Sequence, residues 1–154
     1  MFKFDDQNLA TWTAQGAFLV SKDGIMTASW GFVGVMWGKK IVIVPVRDSR
    51  FTKTFIDESG EFTLSVPRAG EMRRELTFCG IKSGRDTDKW AGARLTKKQA
   101  RRLTSPVVDG CAKYYECKVL AVLDMKGLDL ADFKEWYPDD DRHNFYMGEV
   151  VSEY

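Results

Sequence analysis

In Ile41-Val42-Ile43-Val44-Pro45-Val46-Arg47-Asp48-Ser49-Arg50-Phe51-Thr52 a β-branched run passes without a break into a charged, hydroxyl-rich segment. The first half suits a well-buried strand, and Pro45, which has no N–H to give a ladder, places the strand's end at a sheet edge or a bulge. From Ser49 the period changes. Phe51, Phe55 and Ile56 recur at helical spacing and Gly60 supplies the stop, so the spacing predicts a short amphipathic helix with Ser49 as its N-cap. The first turn of such a helix presents free backbone N–H groups. Arg47 and Arg50 are poorly placed beside the positive end of a helix dipole unless an anion sits there. Guanidinium forks, backbone N–H groups and the hydroxyls of Ser49 and Thr52 together suit a phosphate. The competing reading pairs the arginines with Asp48, Asp57 or Glu58 on a solvated face.

Upstream, Ala17-Phe18-Leu19-Val20 leads to a turn at Lys22-Asp23-Gly24, and Ile25-Met26-Thr27-Ala28-Ser29-Trp30 reads as its hairpin partner, with Asp-Gly supplying the positive-φ position. Gly31, Gly34 and Gly38 punctuate an aromatic-rich connection. Downstream, Glu61 to Val66 alternates as a half-buried strand ended by Pro67, and Ala69 to Cys79 is helical with Met72, Leu76 and Cys79 on one face. Residues 80–105 are basic and loop-rich, with helical turns expected at Asp86 to Trp90 and Thr96 to Leu103. Cys111 to Met125 and 143–154 read as strands. Strands predominate and helices are short insertions, which favours an antiparallel barrel over a βαβ sheet.

The 154 residues make a single domain over 1–154, and 44% hydrophobic, 13% aromatic and 29% charged residues are the composition of an ordered globular chain. The longest apolar runs fall far short of the ~20 residues of a membrane helix. Met1-Phe2-Lys3-Phe4-Asp5-Asp6 has no apolar signal core, so a cytoplasmic location is expected, without a membrane partner. Cys79, Cys111 and Cys117 are odd in number and irregular in spacing, so they read as buried free thiols. His143 is the only histidine, which excludes a multi-histidine metal site, and no metal is expected. The net charge of +1 conceals a split: residues 47–102 hold 14 Lys and Arg against 8 Asp and Glu, whereas 129–154 hold 2 against 8. The middle is therefore net cationic and suggests a bound anion.

A second cluster, Cys79-Gly80-Ile81-Lys82-Ser83-Gly84-Arg85-Asp86-Thr87-Asp88-Lys89-Trp90, joins small residues that admit a ligand to the backbone with a hydroxyl and three cations. No Walker loop is present, and the spacing Gly31-x-x-Gly34-x-x-x-Gly38 does not match a dinucleotide fingerprint. Trp30, Trp37 and Trp90 flank these regions as walls for a flat ligand or as core. Cations with aromatics on a barrel leave two classes open: a nucleotide-type cofactor, or single-stranded nucleic acid on an oligonucleotide-binding barrel.

Met26-Thr27-Ala28-Ser29-Trp30-Gly31, Trp37-Gly38-Lys39, Val46 to Ile56 and Ser59 to Pro67, followed by Cys79 to Trp90 and His143-x-x-Tyr146-x-Gly148-Glu149-Val150, resemble in order the flavin reductase-like, FMN-binding split-barrel family in its flavoredoxin branch. The resemblance implies a six-stranded antiparallel Greek-key split β-barrel with short peripheral helices, acting as a homodimer that binds FMN near the subunit interface. It places Met26, Thr27, Ala28, Ser29 and Trp30 by the isoalloxazine. Arg47, Ser49, Arg50, Phe51 and Thr52 would lie at the phosphate and ribityl chain, and Ser83, Gly84 and Lys89 would close over the same end. Arg85 and Asp86 would touch the cofactor or brace that loop. His143 is the candidate for a residue near the flavin or a nicotinamide, against the reading of a surface histidine at a strand start. Asp48, so near the anion site, must point away or cap the helix.

The function this implies is an FMN-dependent oxidoreductase taking electrons from NADH, NADPH or a protein donor, the chemistry being the flavin's and its orientation the protein's. A flavoredoxin-type electron carrier without nicotinamide turnover, working with a redox partner protein, is the alternative. The acidic tail disfavours nucleic acid.

Overall fold

The computed structural model describes residues 1–129 and 133–154. In chain order the elements are α1 (Asp6–Gln15), β1 (Ala17–Ser21), β2 (Gly24–Ala28), β3 (Phe32–Met36), β4 (Lys39–Arg47), α2 (Phe51–Ser59) and β5 (Glu61–Val66). There follow α3 (Arg73–Ile81), α4 (Lys89–Gly92), β6 (Lys97–Lys98), β7 (Val107–Val108), β8 (Lys113–Asp124), α5 (Phe133–Trp136) and β9 (His143–Glu153), with a 3-10 turn at Met125–Gly127. A seven-stranded sheet runs in the order β2-β1-β5-β8-β9-β4-β3, and β6 and β7 pair separately. The mainly β architecture agrees with the sequence reading, but the sheet has seven strands where six were expected. The additional strand is β3, which the glycine-and-aromatic pattern presents as a connection. It pairs from Phe32↔Ile43 to Met36↔Lys39. An edge strand with Phe32, Val35 and Met36 exposed has no buried face to impose a readable alternation.

The central strands are buried on both sides because two cores flank them. Ala17 and Leu19 of β1, with Phe62, Leu64 and Val66 of β5, face an inner cluster that also holds Val42, Val44 and Val46 of β4. Phe18 and Val20 face an outer cluster built with Leu76 and Cys79 of α3, Trp90 and the 100–111 segment. This explains why Glu61–Val66, read as half-buried, is buried from Phe62 onward: Thr63 Oγ1 donates to Pro106 O at 2.7 Å and Ser65 Oγ accepts from Val108 N at 3.0 Å. The outer layer is fixed by a carboxylate. Glu116 of β8, fully buried, accepts N–H bonds from Arg101, Arg102 and Leu103 at 2.6, 2.7 and 3.1 Å and the Tyr154 hydroxyl at 2.9 Å. Those N–H groups are thereby drawn to a side chain, and the helical turn expected at Thr96 to Leu103 is replaced by β6 and bends.

α1 was not foreseen. Asp5 caps it by accepting from Asn8 N at 3.1 Å, and it delivers Trp12, 1% exposed, as a plug whose Nε1 donates to Ala28 O at 2.9 Å. Trp12 stands where the sheet curls β2, one of its edges, towards β4. A methyl group on Gly31 would lie 2.3 Å from Trp12 Cη2 and 2.7 Å from Ile43 O, so only glycine fits this approach. In the β1–β2 hairpin the positive φ falls on Lys22, at 50°, and not on Gly24. Gly24 is needed for space instead, since a Cβ there would meet Phe55 Cδ2 at 2.6 Å. Cys79, Cys111 and Cys117 are free and buried. Among the described residues no helix is long and apolar enough to cross a membrane.

Candidate anion-binding cleft

Between β2 and the later part of β4 lies a cleft of about 340 Å³ lined by Met26, Thr27, Ala28, Ser29, Trp30, Pro45, Arg47, Ser49, Arg50, Gly80 and His143. Pro45 lies beyond the last β3 partner, Ile43, where among the described residues that flank of β4 has no paired strand, in agreement with the edge expected from its missing N–H. A recess of about 190 Å³ shares Met26, Ser49 and Arg50 with the cleft and adds Phe51, Thr52, Ile81, Lys82, Ser83, Gly84 and Lys89. On the other side a broad groove of about 760 Å³ against α1 and α3 shares Thr27, Ser29 and Gly80. Residues named from three distant stretches, 26–30, 47–52 and 83–89, together with His143 and excepting Arg85 and Asp86, thus line adjoining depressions.

Its electrostatics are lopsided. Lys89 is 5% exposed, and its ammonium donates to two backbone carbonyls, Ile25 O at 2.8 Å and Cys79 O at 2.9 Å. Arg50 donates to Gly80 O at 3.0 Å, and Arg47 to Asp141 O at 2.8 Å. Among the described residues none of these three cations has a carboxylate within ion-pair distance. Burial, with repulsion from Arg50, pulls the Lys89 ammonium down to about 8, and burial with repulsion from Arg47 lowers Arg50 as well. Cations held this way are relieved by an anion with several acceptor oxygens.

The helix start departs from expectation. The N-cap of α2 is Arg50, which makes no side-chain cap, and Ser49 is tied elsewhere: its N–H and hydroxyl donate to the Asp141 carboxylate at 3.0 and 2.5 Å. Ser49 is therefore not the N-cap, because a carboxylate 92 positions away competes for it. Gly60 does end the helix, in the left-handed region at φ 67°. Asp48 points away from the cleft, its Oδ1 accepting from Asn144 Nδ2 at 2.7 Å. Thr27 donates its hydroxyl to Leu76 O at 2.5 Å and so anchors α3 to β2. Arg85 braces the recess by donating to Ser49 O at 2.8 Å and lying 5.0 Å over Phe51, whereas Asp86 is exposed and lines neither cavity.

Of the three tryptophans read as walls, only Trp30 lines the cleft. Trp37 is exposed in the β3–β4 turn, and Trp90 is core, its Nε1 donating to Asp23 O at 2.9 Å. His143 opens β9, yet it is 7% exposed and lines the cleft, so it is no surface histidine. Burial and the nearby Arg47 and Arg50 hold its imidazole down to about 4 against the pull of Asp141, which leaves it neutral at physiological pH. Its Nδ1 is 2.6 Å from the Tyr137 hydroxyl. Trp12, Tyr137 and Asp141 shape the site without having been singled out. A signal existed only for Trp12, in the cap residues Asp5 and Asn8 and the Leu9–Trp12 spacing.

The fold and the sequence both have relatives. A family profile described as the flavin reductase like domain matches residues 7–153. An uncharacterised protein of Archaeoglobus fulgidus is 26% identical over 132 residues, 86% of this chain, which spans 65% of that relative's length. Among solved structures, flavoredoxin of Desulfovibrio vulgaris (Miyazaki F) superimposes with a TM-score of 0.71 at 23% identity, covering 90% of this chain and 68% of its own. An FMN-binding protein from Thermus thermophilus gives 0.71 at 19%, covering 90% and 68%. An NADH:FAD oxidoreductase of Streptomyces globisporus gives 0.67 at 15%, covering 91% and 74–75%. At these identities the structural likeness establishes the fold.

Proposed function

This chain belongs to the flavin reductase-like domain family, and from that membership we propose that it binds FMN in the cleft and its recess and works as an oxidoreductase, passing electrons from NADH, NADPH or a protein donor to an acceptor. The observation that carries the reading is a set of carboxylate-free cations, buried Lys89 with half-buried Arg50 and Arg47, at one end of a cleft whose other end is the β2 edge, Met26 to Trp30. A phosphate tail and a flat polar ring call for that division of labour. The donor set fits the cofactor. Lys89, Arg50 and Arg47 would neutralise the phosphate, helped by Thr52 and Ser83. Ser49 would contribute least, since Asp141 already takes both of its donors. Ala28 O is committed to Trp12, so the ring would meet the remaining polar groups of Met26–Ser29. When bound, FMN would supply the redox chemistry, accepting and returning two electrons. The protein's own part is to hold the ring beside Trp30 and His143 and to keep the phosphate end rigid.

The apolar residues exposed on and beside the β3 edge, Phe32, Val35, Met36 and Trp37, support the homodimer, and a sedimentation mass equal to the monomer would count against it. A cytoplasmic location belongs to the same proposal. Nucleic acid is disfavoured because Asp141 of the acidic tail faces Arg47 and Arg50.

The test is the visible spectrum of the purified protein with and without added FMN, followed anaerobically by NADH and then NADPH. Bleaching by either nicotinamide supports the reductase. Bound flavin left oxidised by both supports the flavoredoxin-type carrier, to which the likeness to flavoredoxin lends weight. A protein that ignores FMN refutes the proposal.

A further inference from the structure

Tyr137 and His143 are both buried, at 8% and 7% exposure, with Tyr137 Oη 2.6 Å from His143 Nδ1 and the rings edge-on at 69°. A neutral imidazole carries one ring proton, and the partner of Nδ1 decides which nitrogen has it. Two arrangements satisfy the contact. In one, Tyr137 donates to a bare Nδ1 and the imidazole proton sits on Nε2. In the other, Nδ1–H donates to the phenol oxygen, and the phenol proton turns to Met125 Sδ, 3.4 Å away. The second trades a strong acceptor for a thioether, among the weakest acceptors in proteins. The Arg47 guanidinium, 5.3 Å over the Tyr137 ring, holds the phenol in place beside the imidazole. The first arrangement therefore wins. The groups facing the imidazole are Arg47, Arg50, Asp141, Tyr137 and Trp30, the last 5.6 Å away between centroids. Among the described residues none hydrogen-bonds Nε2.

We propose that Tyr137 is a positioning residue that fixes His143 as the neutral Nε2–H tautomer, so that the cleft is offered an uncharged hydrogen-bond donor for an acceptor atom, a carbonyl oxygen or an unprotonated ring nitrogen, on a planar ligand. Given a neutral imidazole, the tautomer follows from the Tyr137 and Met125 geometry; the acceptor's belonging to the flavin ring rests on the function proposed above. His143 then orients and polarises its ligand, and no proton leaves it.

Because His143 is the only histidine, its ring nitrogens give one assignment-free set of signals in a long-range proton–nitrogen correlation spectrum. At pH 7 the wild-type protein is expected to show a protonated Nε2 and a bare Nδ1. The reverse pattern overturns the proposal. Tyr137→Phe keeps the ring under Arg47 and removes only the hydroxyl. It is expected to mix the tautomers and weaken FMN binding about fivefold, the effect of one neutral hydrogen bond. Unchanged tautomer signals overturn the proposal. His143→Gln keeps a donor that needs no orienting phenol, so adding Tyr137→Phe to it should cost nothing more. A further loss there would make Tyr137 merely structural and overturn its positioning role. If the wild-type tautomer is as expected but FMN does not bind, the flavin reading fails while the tautomer assignment stands.

Discussion

Replacing Lys89 by Met removes a buried ammonium while keeping most of its bulk, and the structure fixes what should happen to stability with pH. In the unfolded chain Lys89 holds its proton up to its ordinary 10.5, whereas in the fold it gives it up at about 8. Below pH 8 the buried charge costs about 3 kcal/mol, because each tenfold loss of proton affinity on folding is worth about 1.4 kcal/mol. Between 8 and 10.5 the unfolded chain binds the extra proton, so stability rises with pH. The cysteines act in the opposite sense, since burial pushes Cys79 up to about 11 and Cys111 up to about 12 from 9.0, but both proteins share them. The difference between wild type and Lys89→Met isolates the lysine. At pH 7 the relief of the charge is offset by the two carbonyls, Ile25 O and Cys79 O, left without their donor, at about 1–3 kcal/mol each. Urea denaturation at pH 7, 8 and 9 and constant ionic strength should show wild type gaining on the variant by about 1 kcal/mol between pH 8 and 9. Parallel stabilities across that interval would refute the buried-cation argument. The same variant should bind FMN about 10–100-fold more weakly, the worth of a charged hydrogen bond, while binding riboflavin, which lacks the phosphate, nearly as well as wild type. Equal losses for the two flavins would remove Lys89 from the phosphate.

Arg50→Ala should weaken FMN about 10–100-fold by isothermal titration, and unchanged affinity would take Arg50 out of the site. Glu116→Gln sets an amide group against the three converging N–H groups of Arg101, Arg102 and Leu103; a loss of about 3 kcal/mol in urea is expected, and a loss under about 1 kcal/mol would show that the 101–103 segment is not held by this carboxylate. Gly31→Ala forces a methyl against Trp12 and Ile43 O, so about 1–3 kcal/mol should be lost, and an unaffected denaturation midpoint would mean that the segment after β2 does not closely approach β4 there.

Much of this was legible in local pattern. A β-branched run such as Ile41–Val46 has no comfortable conformation but a buried strand, and the aromatic spacing from Phe51 to Ile56, stopped by Gly60, can only be a short helix. The cations at Arg47, Arg50 and Lys89 could be named as anion ligands because side-chain chemistry and helix-end electrostatics are properties of short stretches. What the sequence could not determine was set by partners far along the chain. Ser49 has every local mark of an N-cap, but Asp141 claims both its donors. Glu61–Val66 alternates like a half-buried strand, but the 100–111 segment covers its other face. Phe32–Met36 declares no strand, because an exposed edge needs only a pairing partner. Whether Lys89 is a solvated surface charge or a buried cation, and whether His143 faces water or a cleft, depends on burial and on neighbours such as Tyr137. Proton affinities follow the surroundings that tertiary packing creates, and no spacing of residues in the chain records them.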